Sequence, residues 1–385
     1  MKQYDVIIIG AGAAGLSAAA MATRRGRTVA VLDMGKTPAR KVMASGGGNC
    51  NITNTDANRN RYFGENPDFV RGALSRVKPT DIIEWASEHN INLYQKTPGR
   101  YFCADGAEAV VHALMHDAGA AHFLYNTNVT GVTKTDARFY IQTNNAEYIA
   151  QSVIVATGGT SFGTLGVSDT GWKIAKSFGH KIIPVRPALC ALDVVGATPD
   201  LAGISLPVQI TIGKHSIEDY LLFTHRGIGG PATYRASVTD MNDDLHINFL
   251  PQIDILTVLR DAKRTNGRKS VINILATYMP QRVSKWIAGD NGRNIADIKD
   301  TDIINIANRI SNTTIPRDKI KYNSIASAEV VRGGVDTRDI SSKTMESKLC
   351  DGLFFAGEVI DIAGDLGGFN LQWAWASGRV AGENA

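Results

Sequence analysis

The chain has 385 residues, 44% of them hydrophobic and 20% charged; that length exceeds one ordinary core, so two or three domains of a globular enzyme are expected. A formal charge of +4 permits an anionic partner without demanding one. The four cysteines (Cys50, Cys103, Cys190, Cys350) form no CxxC pair or disulfide framework, and the eight histidines carry no metal-ligand spacing, so a reducing compartment and no metal are expected.

Asp5 sits inside the apolar run that a secretory leader would need, and no apolar run reaches the roughly 20 residues of a bilayer span; a cytoplasmic protein is expected. Val6 to Ile9 read as a buried parallel strand. GAGAAG follows, from Gly10 to Gly15. Gly10 allows the tight turn, Gly12 lets the backbone approach a pyrophosphate, and Gly15 lets the next helix pack close to the sheet. That helix runs from about Ala13 and Ala14 to Arg25, and Gly26 ends it. Its N-terminus points unpaired N–H groups and a partial positive charge at the phosphates. A second strand, Thr28 to Leu32, leads to Asp33, 18 residues after Gly15, where a carboxylate can accept hydrogen bonds from ribose hydroxyls. Strand, glycine turn, helix and acid in this order make a dinucleotide-binding βαβ unit.

Lys36 to Asn66 is a long polar segment containing Ser45, three glycines (46 to 48), Asn49 and Cys50. Consecutive glycines suit neither a helix nor a strand interior. They suit a loop whose backbone passes close to a ligand, with Arg40 and Lys41 placed to neutralise phosphate; a flexible surface loop is the plainer alternative. Residues 68–90 read as helices, 101–103 as a short strand, 106–118 as a helix, and 130–135 with 139–143 as a hairpin. Residues 152–155 return to the buried-strand pattern and end in Ala156, Thr157, Gly158 and Gly159, expected beside the first βαβ unit with the glycines facing the nucleotide. A further helix spans 171–179.

A β-rich section begins near Pro187, with strands expected at 192–195, 208–212 and 245–250. Leu222 to Pro231 ends one strand and turns into a helix. Residues 254–310 have helical periodicity and a basic cluster, Arg260, Lys263, Arg264, Arg268 and Lys269. A solvated helix face and a contact for nucleic-acid phosphates are both open readings. Near the C-terminus Leu353 to Ala356 read as a buried strand. Gly367 and Gly368 precede an apolar helix at 371–382, whose N-terminus makes a second anion site suited to the flavin end of FAD.

These motifs resemble a family of three-domain flavoproteins, the BaiN/RdsA-type NAD(P)/FAD-dependent oxidoreductases, related to aminoacetone oxidase. The resemblance covers essentially the whole chain. It rests on Arg40-Lys41 with Ser45 to Asn54, on Leu222 to Pro231, on Gly333 to Thr337, and on Gly357 to Asp361 through Gly367 to Ala374. It implies an α/β fold: a Rossmann-like FAD-binding domain from residues 1–186 and 326–385, an inserted β-barrel-like domain from 187–253 and 311–325, and a nested helical domain at 254–310. The implied cofactor contacts are Gly10, Gly12, Ala13, Ala14, Gly15, Asp33, Arg40, Lys41, Ser45, Gly46, Gly47, Asn49, Val129, Ala156, Thr157, Gly158, Gly159, Gly357, Glu358, Asp361, Gly367, Gly368, Phe369, Asn370, Leu371 and Gln372. Asn49 departs from the Arg that many relatives carry before the Cys, which puts the substrate's identity in question.

The LFTHRG and GGFNLQWAW segments resemble the ribosomal RNA dihydrouridine synthase branch. That branch implies FAD, NADH or NADPH as a transient reductant, and a uridine of 23S rRNA as substrate; a small-molecule oxidase or reductase acting on an amine, aminoketone or enone is the alternative. No second GxGxxG follows a strand, so no separate NAD(P)H domain is expected. Reduction of uracil adds hydride at C6 and needs an acid to protonate C5. Cys50 and Cys103 are the thiol candidates, each with a small buried thiol as the plainer reading. His225, with Arg226, could contact substrate or flavin, or be a structural pair. Asn370, Gln372 and Trp373 are expected near the isoalloxazine, Trp375 in the core.

Overall fold

The computed structural model describes residues 1–289 and 292–385. The chain divides into two units, Met1–Pro187 with Ile325–Ala385, and Ala188–Ser324.

In the first unit, β1 (Lys2–Ile9) is flanked by parallel partners, β2 (Val29–Leu32) on one side and Glu147–Val155 on the other; His122–Leu124 extends the sheet beyond β2. The helix α1 (Ala13–Arg24) connects β1 to β2. Glu147–Val155 has two halves. Its first half pairs antiparallel with Arg138–Thr143, and its burial alternates. Its second half pairs parallel with Leu353–Phe355, and there burial is continuous, as expected where both faces of a sheet are covered. A strand from near the C-terminal end thus returns beside the first βαβ unit.

The polar segment at 36–66 is more ordered than its composition suggests. It holds a short helix, Arg40–Ala44, and a strand, Asn51–Asn54, which pairs with Arg100–Cys103; that strand pairs in turn with Leu93–Thr97. A polar strand can be buried here because its side chains are satisfied: Thr53 donates to Gln372 Oε1 at 2.6 Å, and Asn54 donates to the Gly367 carbonyl at 2.8 Å.

The second unit is a seven-stranded sheet. In order its strands are Thr313–Ile315, Leu245–Asn248, Ser205–Ile212, His215–Phe223, Gly227–Gly229, Leu192–Val194 and Ile320–Tyr322. Every pairing is antiparallel, and among the described residues none joins the two ends. Ser205–Ile212 alternates in burial, one face packed and one wet. The helices Ile255–Thr265, Val271–Leu275, Gln281–Ala288 and Asp300–Ser311 share one apolar core with this sheet. Phe223, Phe249 and Trp286 meet inside it with ring centroids 6.1–6.2 Å apart. No described helix is long and apolar enough to cross a membrane.

Candidate functional site

The three glycines of the first motif do different work. A Cβ on Gly10, whose φ is +110°, would fall 2.4 Å from the Ala156 carbonyl oxygen, and one on Gly15 would fall 1.9 Å from the Gly10 oxygen. Both are required for the backbone to close. A Cβ on Gly12 would meet nothing within 4 Å. The protein therefore keeps open space at the start of α1, where the N–H groups of Ala13 and Ala14 have no intrahelical acceptor.

Asp33 closes β2 and is largely buried. Its Oδ2 accepts from the Ala11 N–H at 2.7 Å; its Oδ1 accepts from Gly35 N–H at 2.7 Å and from Arg40 at 3.1 Å. Three of about four lone-pair positions on a carboxylate are thus used, which leaves one outward acceptor. Arg40 also donates to the Leu165 and Gly166 carbonyls. Lys41 turns to Glu358 instead, with Nζ 2.8 Å from Oε2 and 2.8 Å from Ser161 Oγ. Glu358 further accepts from Gly159 N–H at 3.2 Å and Val331 N–H at 3.0 Å. Burial pushes its carboxyl up, but the Lys41 charge and these donors outweigh that and hold it below the usual range.

The glycine loop has left-handed backbone at Gly46, Gly47, Gly48 and Cys50. A Cβ on Gly47 or Gly48 would again meet nothing within 4 Å, whereas Gly46 lies against Phe102. Cys50 and Cys103 are neighbours: Cys103 N–H donates to the Asn49 and Cys50 carbonyls at 2.8 and 3.3 Å. Both thiols are fully buried. Burial pushes the Cys50 thiol up to about 12, with Ser45 as a hydrogen-bond partner, and raises Cys103 as well.

The C-terminal helix, Phe369–Asn384, runs parallel to α1 in direct backbone contact. A Cβ on Gly378 or Gly382 would fall 2.3 or 2.2 Å from the carbonyl oxygens of Ala14 and Ala18. Ala14 opposite Gly378 places the start of this helix eight residues beyond the start of α1, roughly 12 Å at 1.5 Å per residue. Two positive helix ends therefore stand in line on one side of the unit. At the second, Gly367 and Gly368 have φ of +117° and +92°. Gly368 needs this freedom because Thr53 backbone lies against it, and Gly367 because the Arg100 side chain does.

Several residues expected at the flavin serve the protein itself. Gln372 is fully buried, accepting from Thr53 and donating to the Val77 carbonyl at 2.9 Å. Trp373 is buried beneath Gly357, donating to its carbonyl at 3.2 Å, so it joins Trp375 in the core and does not face open space. Asn370 clamps Gly364 through reciprocal bonds of 2.8 and 3.0 Å. Asp361 accepts from Gly333 and Glu65 N–H groups, and Val129 is buried at a strand start. Ala156 donates to the Ile9 carbonyl at 2.9 Å, and Thr157 packs under Gly171. Phe369 meets Tyr62 edge-on, with Leu371 partly buried two residues on. His225 lies in the second unit, exposed, with Arg226 paired to Asp193.

Sequence reasoning missed Arg100, Asn54, Ser161 and Val331. Asn54 ends the Ser45–Asn54 motif without a role of its own there, and the other three have no motif; each reaches the site through a contact across the chain. Among the described residues one group brings metal-ligand atoms together, His89, His116 and Asp117 within 4.8 Å. Asp117 is already filled there by Trp85 Nε1 at 2.7 Å, His89 Nε2 at 3.0 Å and Arg24 at 3.2 Å.

The family model described as HI0933-like protein Rossmann domain matches residues 4–384. A ribosomal RNA dihydrouridine synthase of Escherichia coli (strain K12) is 36% identical over 98% of this chain and 96% of its own length. A protein of the same name from Haemophilus influenzae is 39% identical over 98% and 97%. The solved structure of a 3-ketosteroid-delta4-(5alpha)-dehydrogenase from Rhodococcus jostii RHA1 superposes with a TM-score of 0.51 at 13% identity, covering 100% of this chain and 96% of that one, a likeness of fold alone. The fold is the Rossmann-like α/β fold of FAD-binding flavoproteins. With the family model spanning almost every residue and two such relatives matching end to end, the chain belongs to the HI0933-like flavoprotein family.

Proposed function

We propose that this chain is an FAD-dependent oxidoreductase, reduced by NADH or NADPH, that converts a uridine of 23S rRNA to dihydrouridine. The observation that carries the reading is identity of 36% and 39%, over 98% of the chain, to two proteins named ribosomal RNA dihydrouridine synthase. The residues fit FAD. Open space at Gly12, the α1 N-terminus and the spare acceptor of Asp33 suit a pyrophosphate and a ribose; the second helix end, roughly 12 Å further on, suits the flavin, with space at Gly47 and Gly48.

FAD, when bound, supplies the hydride chemistry. The chain's own residues do the rest. The N-terminus of the C-terminal helix favours negative charge at its end. Lys41 and Glu358 hold the 159, 331 and 358 backbones in one arrangement. Cys50 is the proposed proton donor to C5: it follows the open space at Gly47 and Gly48 by two residues, on left-handed backbone at φ 45° of the kind that collects at functional sites, and burial keeps its thiol protonated. Cys103 supports it from the neighbouring strand.

The test is anaerobic. Protein reduced with NADH is mixed with an unmodified large-subunit rRNA fragment, flavin absorbance is followed, and the RNA is assayed for dihydrouridine. Reoxidation with dihydrouridine formed is the expected result. A flavin that stays reduced with RNA, yet reoxidises with small enones or in air, would move the assignment to small-molecule chemistry.

A further inference from the structure

The helical part of the second unit carries an excess of positive charge. Residues 255–311 contain ten Lys and Arg against five Asp and no Glu, while the rest of the chain has 31 basic and 32 acidic residues. Residues 255–311 therefore carry a net charge of +5.

Part of that charge is internally balanced. Lys263 pairs with Asp300 at 2.7 Å, Arg264 pairs with Asp261, and Arg260 lies in the field of Asp254 and Asp300. Both paired residues lie in the last turn of Ile255–Thr265, where cations also suit the helix dipole. Arg268 and Lys269 are different. They lie past the helix end, both exposed, and neither has an ion pair among the described residues.

Their segment is held firmly. Ile295 N–H donates to the Lys269 carbonyl at 2.8 Å, Ala296 N–H donates to the Gly267 carbonyl at 3.1 Å, and Ser270 bridges Asn294. A Cβ on Gly267 would fall 3.0 Å from Ala296 Cβ, so the two segments touch. The exposed Arg293 is carried on the second of them. Arg268 and Lys269 thus stand on a stapled ledge in a segment of positive charge. Cations without carboxylate partners on rigid backbone match the phosphates of a nucleic-acid strand, which are read by charge and position and not by base edges.

We propose that the ledge of Arg268 and Lys269 docks the phosphate backbone of the RNA substrate. This rests on the RNA-reducing function proposed above. The experiment compares FAD-loaded wild type, R268Q/K269Q and the charge-preserving R268K/K269R. Each is titrated with the large-subunit rRNA fragment across a salt series, and dihydrouridine formation and NADH-driven flavin reduction are measured on the same preparations. The double Gln variant is expected to bind RNA on the order of tenfold more weakly and to lose about 1.5 from the slope of log K against log salt. Flavin reduction by NADH stays unchanged, and the charge-preserving variant keeps the wild-type slope. A double Gln variant with wild-type slope and affinity, while wild type forms dihydrouridine, would overturn the ledge and leave the function standing. Wild type that neither binds nor modifies the RNA would overturn both.

Discussion

Lys41 Nζ lies 2.8 Å from Glu358 Oε2, a pair 317 residues apart in sequence that ties the start of the glycine loop to the turn after the strand Leu353–Phe355. Glu358 also satisfies the N–H groups of Gly159 and Val331. Glu358→Ala strands an ammonium and two backbone donors, which costs about 2 kcal/mol. Thermal denaturation should show that loss, and the flavin-to-protein ratio should fall with it. Full FAD occupancy in this variant would remove Glu358 from the cofactor site. The carboxyl is held below its ordinary 4.5, so its contribution is complete above that pH and is lost as pH falls through the lower folded value. Glu358→Gln should lack that acid-side loss.

Gly12 and Gly15 separate binding from folding. Gly12 has φ −81° and an empty neighbourhood, so Gly12→Ala adds a methyl that the fold accepts without strain. Its apo form should melt within about 1 kcal/mol of wild type, yet bind FAD markedly more weakly because the methyl occupies the ligand's space. Gly15→Ala drives a Cβ to 1.9 Å from the Gly10 oxygen. It should lose about 3 kcal/mol, with or without cofactor. Equal effects of the two substitutions on apo stability would refute this division.

The first βαβ unit was legible because every signal in it is local: an apolar run, glycines at fixed offsets and an acid at the next strand end. The strand at Leu353–Phe355 was legible for the same reason, as an apolar run between glycines, whereas its place in this sheet followed only from the family resemblance. The polar strand Asn51–Asn54 was not, since Thr53 and Asn54 find their partners at Gln372 and Gly367, more than 300 residues away. Trp373 and Gln372 follow glycines that suggest a ligand, yet their side chains turn inward to Gly357 and Val77. A motif locates a backbone; which way each side chain turns is decided by the partners the rest of the fold brings.

Asp117 shows the same limit in a purely structural setting. An acid at the last position of the helix Ala107–Asp117 opposes the helix dipole. It is retained by Trp85, His89 and Arg24, donors from two other helical segments. Burial pushes its carboxyl up, but these donors and charges prevail and hold it below 3.8, so its contribution is present above that pH and lost as pH falls further. Asp117→Asn should lower stability by about 2 kcal/mol at neutral pH while leaving flavin content intact. Differential scanning calorimetry with a flavin assay checks both halves, and loss of flavin from the folded variant would contradict the assignment.

Cys50 gives the clearest kinetic expectation. A proton donor must be protonated to act, and a thiol raised to about 12 is protonated at any pH at which the protein is assayed. The single-turnover rate of dihydrouridine formation should therefore show no thiol-dependent decline between about pH 6 and pH 10, unlike a donor with an ordinary thiol. Cys50→Ala should slow RNA-dependent flavin reoxidation by on the order of 10²- to 10⁴-fold and leave NADH-driven reduction unaffected. Cys103→Ala, which removes a neighbouring thiol from the packing, should cost less than about tenfold by the same comparison. A Cys50→Ala enzyme within tenfold of wild type would return that cysteine to a packing role and require another donor for C5.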